Sequence, residues 1–309
     1  MLNNRDDVDV RAGRAALLDL LAGLLLRELD APVAEAISAD PALSRALRPP
    51  NSAEELRLLR AEYASLFVIE IPPYASIYLD APPVIGGDTS LRWEGLLTSL
   101  GRPLRSLERA ASADHAGLCL RALADAERAD DIVPVLREIL RWLPQFLTSI
   151  ERNARTGFYG RVAVLTAQVI QESARAAAYL GGATERDAPV GPEEMSLREI
   201  ARWLTTPAWS GWFLSKHALR QLARPFGVAT GRVDRAAALE QVFEASGLDS
   251  RTGELLTDLA NELAEWEASL HVWQANLNSW AHTLAPWKAS LRATRDVLDQ
   301  MRHALEQGG

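Results

Sequence analysis

Apolar residues recur at three- and four-residue spacing along almost the whole chain, and alternating strand-like runs are scarce. That pattern predicts an all-α fold. Helices are expected near 8–28, 31–38, 52–68, 91–100, 113–127, 132–154 and 157–180, then near 196–204, 215–224 and 234–246, with a very long one from about 252. Two starts are spelled as capping boxes, Ser52-Ala-Glu-Glu55 and Ser196-Leu-Arg-Glu199. In each, the Ser hydroxyl takes the N3 amide and the Glu reaches back to the cap amide. Between the two groups of helices, Gly181 to Pro192 holds four glycines and prolines beyond its first residue and breaks the periodicity, which marks a linker. The expected division is a first domain over 1–183, a linker over 184–195 and a helical extension over 196–309.

The extension carries the sharpest pattern. Leucine occupies 256, 263, 270, 277, 284, 291, 298 and 305, and three residues after these come Leu259, Trp266, Trp273, Trp280, Trp287, Thr294 and Met301. This is an a/d heptad seam of the kind that packs helix on helix. Pro286 interrupts it by removing an amide and crowding the preceding turn. The helix either kinks there or turns back, with Trp287 starting a second helix. The tryptophan row also fits stacking on single-stranded nucleic acid or sugar, but Glu262, Glu265 and Glu267 surround it and repel phosphate. Knobs in a helix–helix interface are the expectation. The partner helix lies either in the same chain or in another copy, in which case Leu270, Trp273, Leu277 and Trp280 would mediate a homo-oligomer.

Residues 69–90, IEIPPYASIYLDAPPVIGGDTS, hold four prolines and two glycines, too many for regular helix. Yet they also carry Tyr74, Ile77, Tyr78 and Leu79. An apolar, proline-stiffened loop within a helical domain is a candidate binding surface. A loop anchored to the core by its aromatics accounts equally for the pattern.

Composition narrows the function. Lys and Arg total 33 against 41 Asp and Glu, a net charge of −8, which argues against a nucleic-acid binder. Only Lys216 and Lys288 are lysines. The lone Cys119 excludes an internal disulfide framework and a multi-thiolate metal site. The apolar run Ala15–Leu26 contains Asp19 and is preceded by acids, so an amphipathic helix is expected there, not a signal peptide. No stretch of 18 uncharged apolar residues occurs, so a soluble, cytoplasmic protein is expected.

Catalytic signatures are missing. Neither lysine follows a glycine as a phosphate-binding loop requires, no G-x-S-x-G is present, and no His has a Glu three residues before it. No catalytic residue, metal ligand or cofactor is assigned. Asp114-His115 precedes Cys119 by one helical turn, a spacing that would suit a thiolate nucleophile. The apolar setting Gly117-Leu-Cys-Leu120 instead favours Cys119 as a small core residue. Asp114 and His115 then fit helix capping or polar hooks for a bound chain. Gly157-Phe-Tyr-Gly160, after Trp142-Leu-Pro-Gln-Phe146, fits a tight helix turn with aromatic packing.

Taken in order, Glu62-Tyr-Ala-Ser-Leu-Phe67, Pro72-Pro-Tyr-Ala-Ser-Ile-Tyr-Leu-Asp80, Asp114-His-Ala-Gly-Leu118, Trp142-Leu-Pro-x-Phe146 and Ala154-x-x-Gly-Phe-Tyr159 resemble the TorD/DmsD/NarJ family of chaperones for molybdenum-cofactor oxidoreductases. The resemblance covers roughly residues 10–181. It implies a TorD-like all-helical bundle without catalytic turnover. It also implies binding, in the cytoplasm, of the N-terminal leader of an oxidoreductase catalytic subunit, often a twin-arginine export signal, until cofactor insertion is complete. By position, the implied peptide-binding residues are Tyr74, Ser76, Tyr78, Asp114 and His115. The chain departs from the family at Val68-Ile-Glu70, where Gly-Pro is common after Leu-Phe, and at Ala111-Ser112, where Glu-Pro is familiar. The alternative is a helical scaffold or oligomerisation protein acting through the heptad segment. A nucleotide hydrolase has no phosphate loop to support it.

Overall fold

The computed structural model describes residues 4–102, 111–178, 195–231, 234–248, 250–276 and 281–308. Among the described residues every regular element is helical, as the periodicity predicts. The chain clusters into two compact units, residues 1–80 with 84–182, and residues 81–83 with 183–309. The linker predicted over 184–195 lies, but for residue 195, outside the described residues.

The first unit contains α1 (Asn4–Leu26), α2 (Ala31–Ala39), α3 (Pro41–Leu47), α4 (Ala53–Tyr63), α5 (Ala75–Leu79), α6 (Asp88–Ser99), α7 (Ala116–Ala129), α8 (Val133–Leu140), α9 (Leu143–Asn153) and α10 (Phe158–Ala176). Helix α1 packs along α7 and also touches α10, burying Leu18, Leu21, Ala22 and Leu25. The approach is close at Gly117, where a Cβ would collide with Leu26 Cγ and meet the Ala22 carbonyl at 2.7 Å. A polar tie crosses the same layer. The Arg14 guanidinium donates to both carboxylate oxygens of buried Glu127 at 3.0 and 2.9 Å, and the Ser173 hydroxyl donates to the same carboxylate. One residue from each of three helices is thereby fixed to the others.

Four details depart from the expected elements. The 69–90 segment, expected to lack regular helix, contains the short helix α5, which fits between Pro73 and Pro82 because no proline falls within Ala75–Leu79. The helix expected over 132–154 is two, because Pro144 lacks an amide and crowds the carbonyl one turn back; the break falls at Arg141–Trp142. Helix α3 was not anticipated, although Asp40-Pro41 spells its start: the Asp40 carboxylate accepts from the amides of Ala42 and Leu43 at 2.8 and 3.1 Å. And α4 runs into a π-helical segment, Ala64–Glu70, whose last turn closes from the Ile71 amide to the Leu66 carbonyl at 2.6 Å. Pro72 and Pro73 stop it there.

The second unit contains α11 (Leu197–Thr205), α12 (Pro207–Ser210), α13 (Lys216–Ala223), α14 (Arg235–Leu248), α15 (Thr252–Asn276) and α16 (Ala281–Gly308). The Ser196–Glu199 capping box is complete at the start of α11. At Ser52 only half of it forms: Ser52 accepts from the Glu55 amide, while Glu55 accepts from Asn51 rather than from the cap residue.

Helices α15 and α16 pack against each other, and two side-chain pairs set their direction. Lys288 donates to Gln274, and Arg295 pairs with Glu267. As one partner number rises the other falls by the same step, so the helices are antiparallel. The chain therefore reverses before Pro286, which sits inside α16, five residues past its start. Neither a break nor a new helix at Trp287 is found. Leu256, Leu259, Leu263, Trp266, Leu270 and Trp273 of α15 are buried, as are Leu284, Trp287, Leu291, Thr294 and Leu298 of α16. Leu270 and Trp273, expected as contacts of a homo-oligomer, are thus already covered within one chain. Leu277 and Trp280 lie outside the described residues.

The turn before α13 is pressed onto α16. Gly211 has φ +79°, and a Cβ there would meet the Leu291 amide nitrogen, Ser290 Cβ and the Trp287 carbonyl, each at 2.8 Å. The Thr294 hydroxyl donates to the Ser210 carbonyl at 2.7 Å, and the Trp212 indole donates to the Leu204 carbonyl at 2.7 Å. No helix of the described residues is long and apolar enough to cross a membrane.

Candidate functional site

The segments singled out in the sequence converge in the first unit. Residues 72–76 run antiparallel to residues 112–116 in a short bridge between Tyr74 and His115. The Ala75 amide donates to the Asp114 carbonyl at 3.0 Å, and the Ala116 amide donates to the Pro73 carbonyl at 2.7 Å. The Asp114 side chain then reaches across, its Oδ2 accepting from the Ser76 amide at 2.7 Å. Asp114 therefore fastens the proline loop through both its backbone and its carboxyl group. Its Oδ1 and the Ser76 hydroxyl are buried without a hydrogen-bond partner among the described residues.

His115 caps α7: its Nδ1 accepts from the Gly117 amide at 3.1 Å. An accepting Nδ1 leaves the proton of the neutral ring on Nε2. Burial pushes the His115 pKa down to about 4, against the opposing pull of Asp114, so the ring is neutral near pH 7. The Tyr74 ring stands edge-on to it, with centroids 5.0 Å apart and planes at 88°. Tyr74 is half-buried, and burial, then the Asp114 charge, raises its phenol pKa.

Acid sensitivity should follow from His115. Its folded pKa lies below the unfolded value of 6.5, so as pH falls the unfolded chain takes up the proton first. The stability is fully present above pH 6.5 and is lost toward pH 4. At about 1.4 kcal/mol per pH unit the gap is worth about 3 kcal/mol. Urea titrations at pH 7 and pH 4.5 should show the wild type losing more stability than His115→Gln; equal losses would remove His115 as the cause.

Of the five predicted residues, four meet here: Tyr74, Ser76, Asp114 and His115. Tyr78 points the other way. It is fully buried against Trp142 and Phe146, with ring centroids at 5.8 and 6.1 Å. Ser76 and Asp114 are also fully buried, so Tyr74 alone of the five offers substantial side-chain surface.

The remaining motif residues form one aromatic cluster beneath the loop. Phe67 meets Tyr63, Phe146 and Tyr159 at 5.1, 6.1 and 5.3 Å. The buried Glu62 carboxylate accepts from the amides of Arg155 and Thr156 and from the Thr156 hydroxyl, the Thr156 amide at 2.8 Å. It thereby closes the turn between α9 and α10. Asp80, at the far end of the loop, accepts from the Thr89 amide and hydroxyl at 3.1 and 2.5 Å and holds the start of α6. Neither role follows from the sequence, in which Glu62 and Asp80 stand only as end residues of motifs that carry the family resemblance.

Cys119 is fully buried, and burial pushes its thiol pKa well above the usual range. A protonated, enclosed thiol is a packing group, not a nucleophile. Among the described residues no three His, Cys, Asp or Glu side chains are grouped to hold a metal ion.

Residues 26–150 match the family described as nitrate reductase delta subunit. Searches of curated proteins and of solved structures find no match.

Proposed function

We propose that the chain, whose residues 26–150 match the nitrate reductase delta subunit family of NarJ/TorD-type molybdoenzyme maturation chaperones, binds the N-terminal leader of a molybdoenzyme catalytic subunit. The leader is of the twin-arginine type, and the site is the Tyr74–His115 face. The observation that carries this is the construction of that face. Tyr74 is half-exposed, set edge-on to His115, and held by a backbone bridge and the buried Asp114 carboxyl. Such a ring needs no reordering to receive an apolar run, which lowers the entropic cost of binding.

Electrostatics supports the other half of the leader. A net charge of −8 draws in a basic segment. Ser76, Tyr78 and Asp114 position the face from below rather than touching the peptide. Binding takes place in the cytoplasm, before export or membrane assembly. The grip is reversible, and release follows when a competing receptor or the folded client lowers the effective affinity.

The test is a titration of the full chain with a fluorescent twin-arginine leader from a molybdoenzyme of the same genome. Tyr74→Ala should weaken binding at least tenfold, the loss of one aromatic anchor, while the chain stays folded at the assay temperature, its thermal midpoint falling only modestly with the loss of a half-buried ring. Undiminished affinity in that variant would place the leader elsewhere.

A further inference from the structure

The second unit holds a cavity of about 460 Å³ walled by α11, α13 and α14 together with Pro82 and Pro83. That size falls in the range of small-molecule sites, roughly 300–1,000 Å³. Four cationic side chains line it, Arg198, Arg202, Lys216 and Arg235, against two acids, Asp234 and Glu240. The lining is thus positive by two charges in a chain that is negative by eight. A concentration of one sign in a concave site focuses the field on a ligand of the other sign.

Three of these cations, Arg198, Arg202 and Lys216, form no ion pair with a resident acid among the described residues, although the Arg202 charge is felt by Glu199. Asp234 Oδ1 is taken up by the Ala237 amide at 2.9 Å. Glu199, a turn from Arg202, is turned to the Ser196 cap, accepting from its amide at 2.8 Å and its hydroxyl at 2.7 Å. Arg235 is stacked on the Phe213 ring at 4.4 Å. Lys216 and Arg235 are also the first residues of α13 and α14, where helix dipoles disfavour a cation. A local preference broken twice at one cavity is expected where function overrides stability.

We infer that this cavity binds a small molecule bearing two phosphate groups. Arginine forks suit phosphate oxygens, and a compact lysine adds a point charge. Every charged residue of the lining falls between 198 and 240, beyond the family match at 26–150, and only Pro82 and Pro83 of the wall lie within that match.

The test is isothermal titration of the full chain with inorganic pyrophosphate and, separately, with fructose 1,6-bisphosphate. Saturable one-to-one binding that weakens at least tenfold in Arg202→Gln/Lys216→Gln is expected. Arg202 is exposed and Lys216 only half-buried, so the variant should unfold at the wild-type temperature. Arg292→Gln, an exposed change on α16 away from the cavity, should bind within twofold of wild type. Tighter binding of the sugar bisphosphate assigns phosphates carried on an organic group; equal or weaker binding assigns free diphosphate. The inference is overturned if neither probe saturates, or if Arg292→Gln weakens binding as much as the double variant.

Discussion

Glu127→Ala is expected to destabilise the first unit by about 3–5 kcal/mol, the range for removing one partner of a buried ion pair. Glu127 is 1% exposed, receives two hydrogen bonds from Arg14 and a third from Ser173, and so joins α1, α7 and α10 at one carboxylate. Its loss leaves the Arg14 guanidinium, itself largely enclosed, without a counter-charge. In a unit of this size the loss corresponds to a fall in melting temperature on the order of 10 °C. Far-UV circular dichroism melts of the full chain measure it. Glu127→Gln, which keeps an acceptor for Ser173, should lose less. A loss under 1 kcal/mol for the alanine variant would mean that α1 is held by apolar burial alone.

Gly211→Ala should cost the second unit about 3 kcal/mol, from a left-handed backbone and overpacking together. The new Cβ would have to displace the α16 backbone at Trp287 and Leu291, which cannot yield as a flexible side-chain tip would. Seven of the nine tryptophans lie beyond residue 196, and only Trp93 and Trp142 precede it. Intrinsic fluorescence in a urea titration therefore reports chiefly on this unit. The midpoint should fall in that signal. An unchanged midpoint would show that the turn can move off α16.

The apolar periodicity was enough to recover the all-helical architecture, because a 3.6-residue repeat is a local property of each element. It could not give direction. The Leu–Trp heptads keep one phase from 256 to 298 although the chain reverses between α15 and α16, since a seam reads the same whether its partner is another stretch of the same chain or another copy. Pro286 drew attention as the one helix-breaking residue, yet α16 runs through it, although as sixth residue of the helix it lies past the four amides that need no intrahelical partner. Pro144, by contrast, falls where α8 would have to continue, and there the chain does break.

At the candidate site, the motif residues could be named but not sorted. Tyr74 and Tyr78 are four apart and look alike in sequence. The bridge to His115 turns Tyr74 outward, while α5 carries Tyr78 into the Trp142–Phe146 cluster. Only a long-range contact distinguishes them. The same holds for Glu62, whose partners are more than 90 residues away.

The central claim is that the Tyr74–His115 face holds the leader of a molybdoenzyme subunit. The most direct measurement is affinity capture from the native cytoplasm with wild type and Tyr74→Ala/His115→Ala as baits, read by mass spectrometry. The account predicts a molybdoenzyme catalytic subunit still carrying its N-terminal leader, captured by wild type and lost with the variant. Capture of that subunit equally by both baits, or of no molybdoenzyme subunit by either, would contradict it.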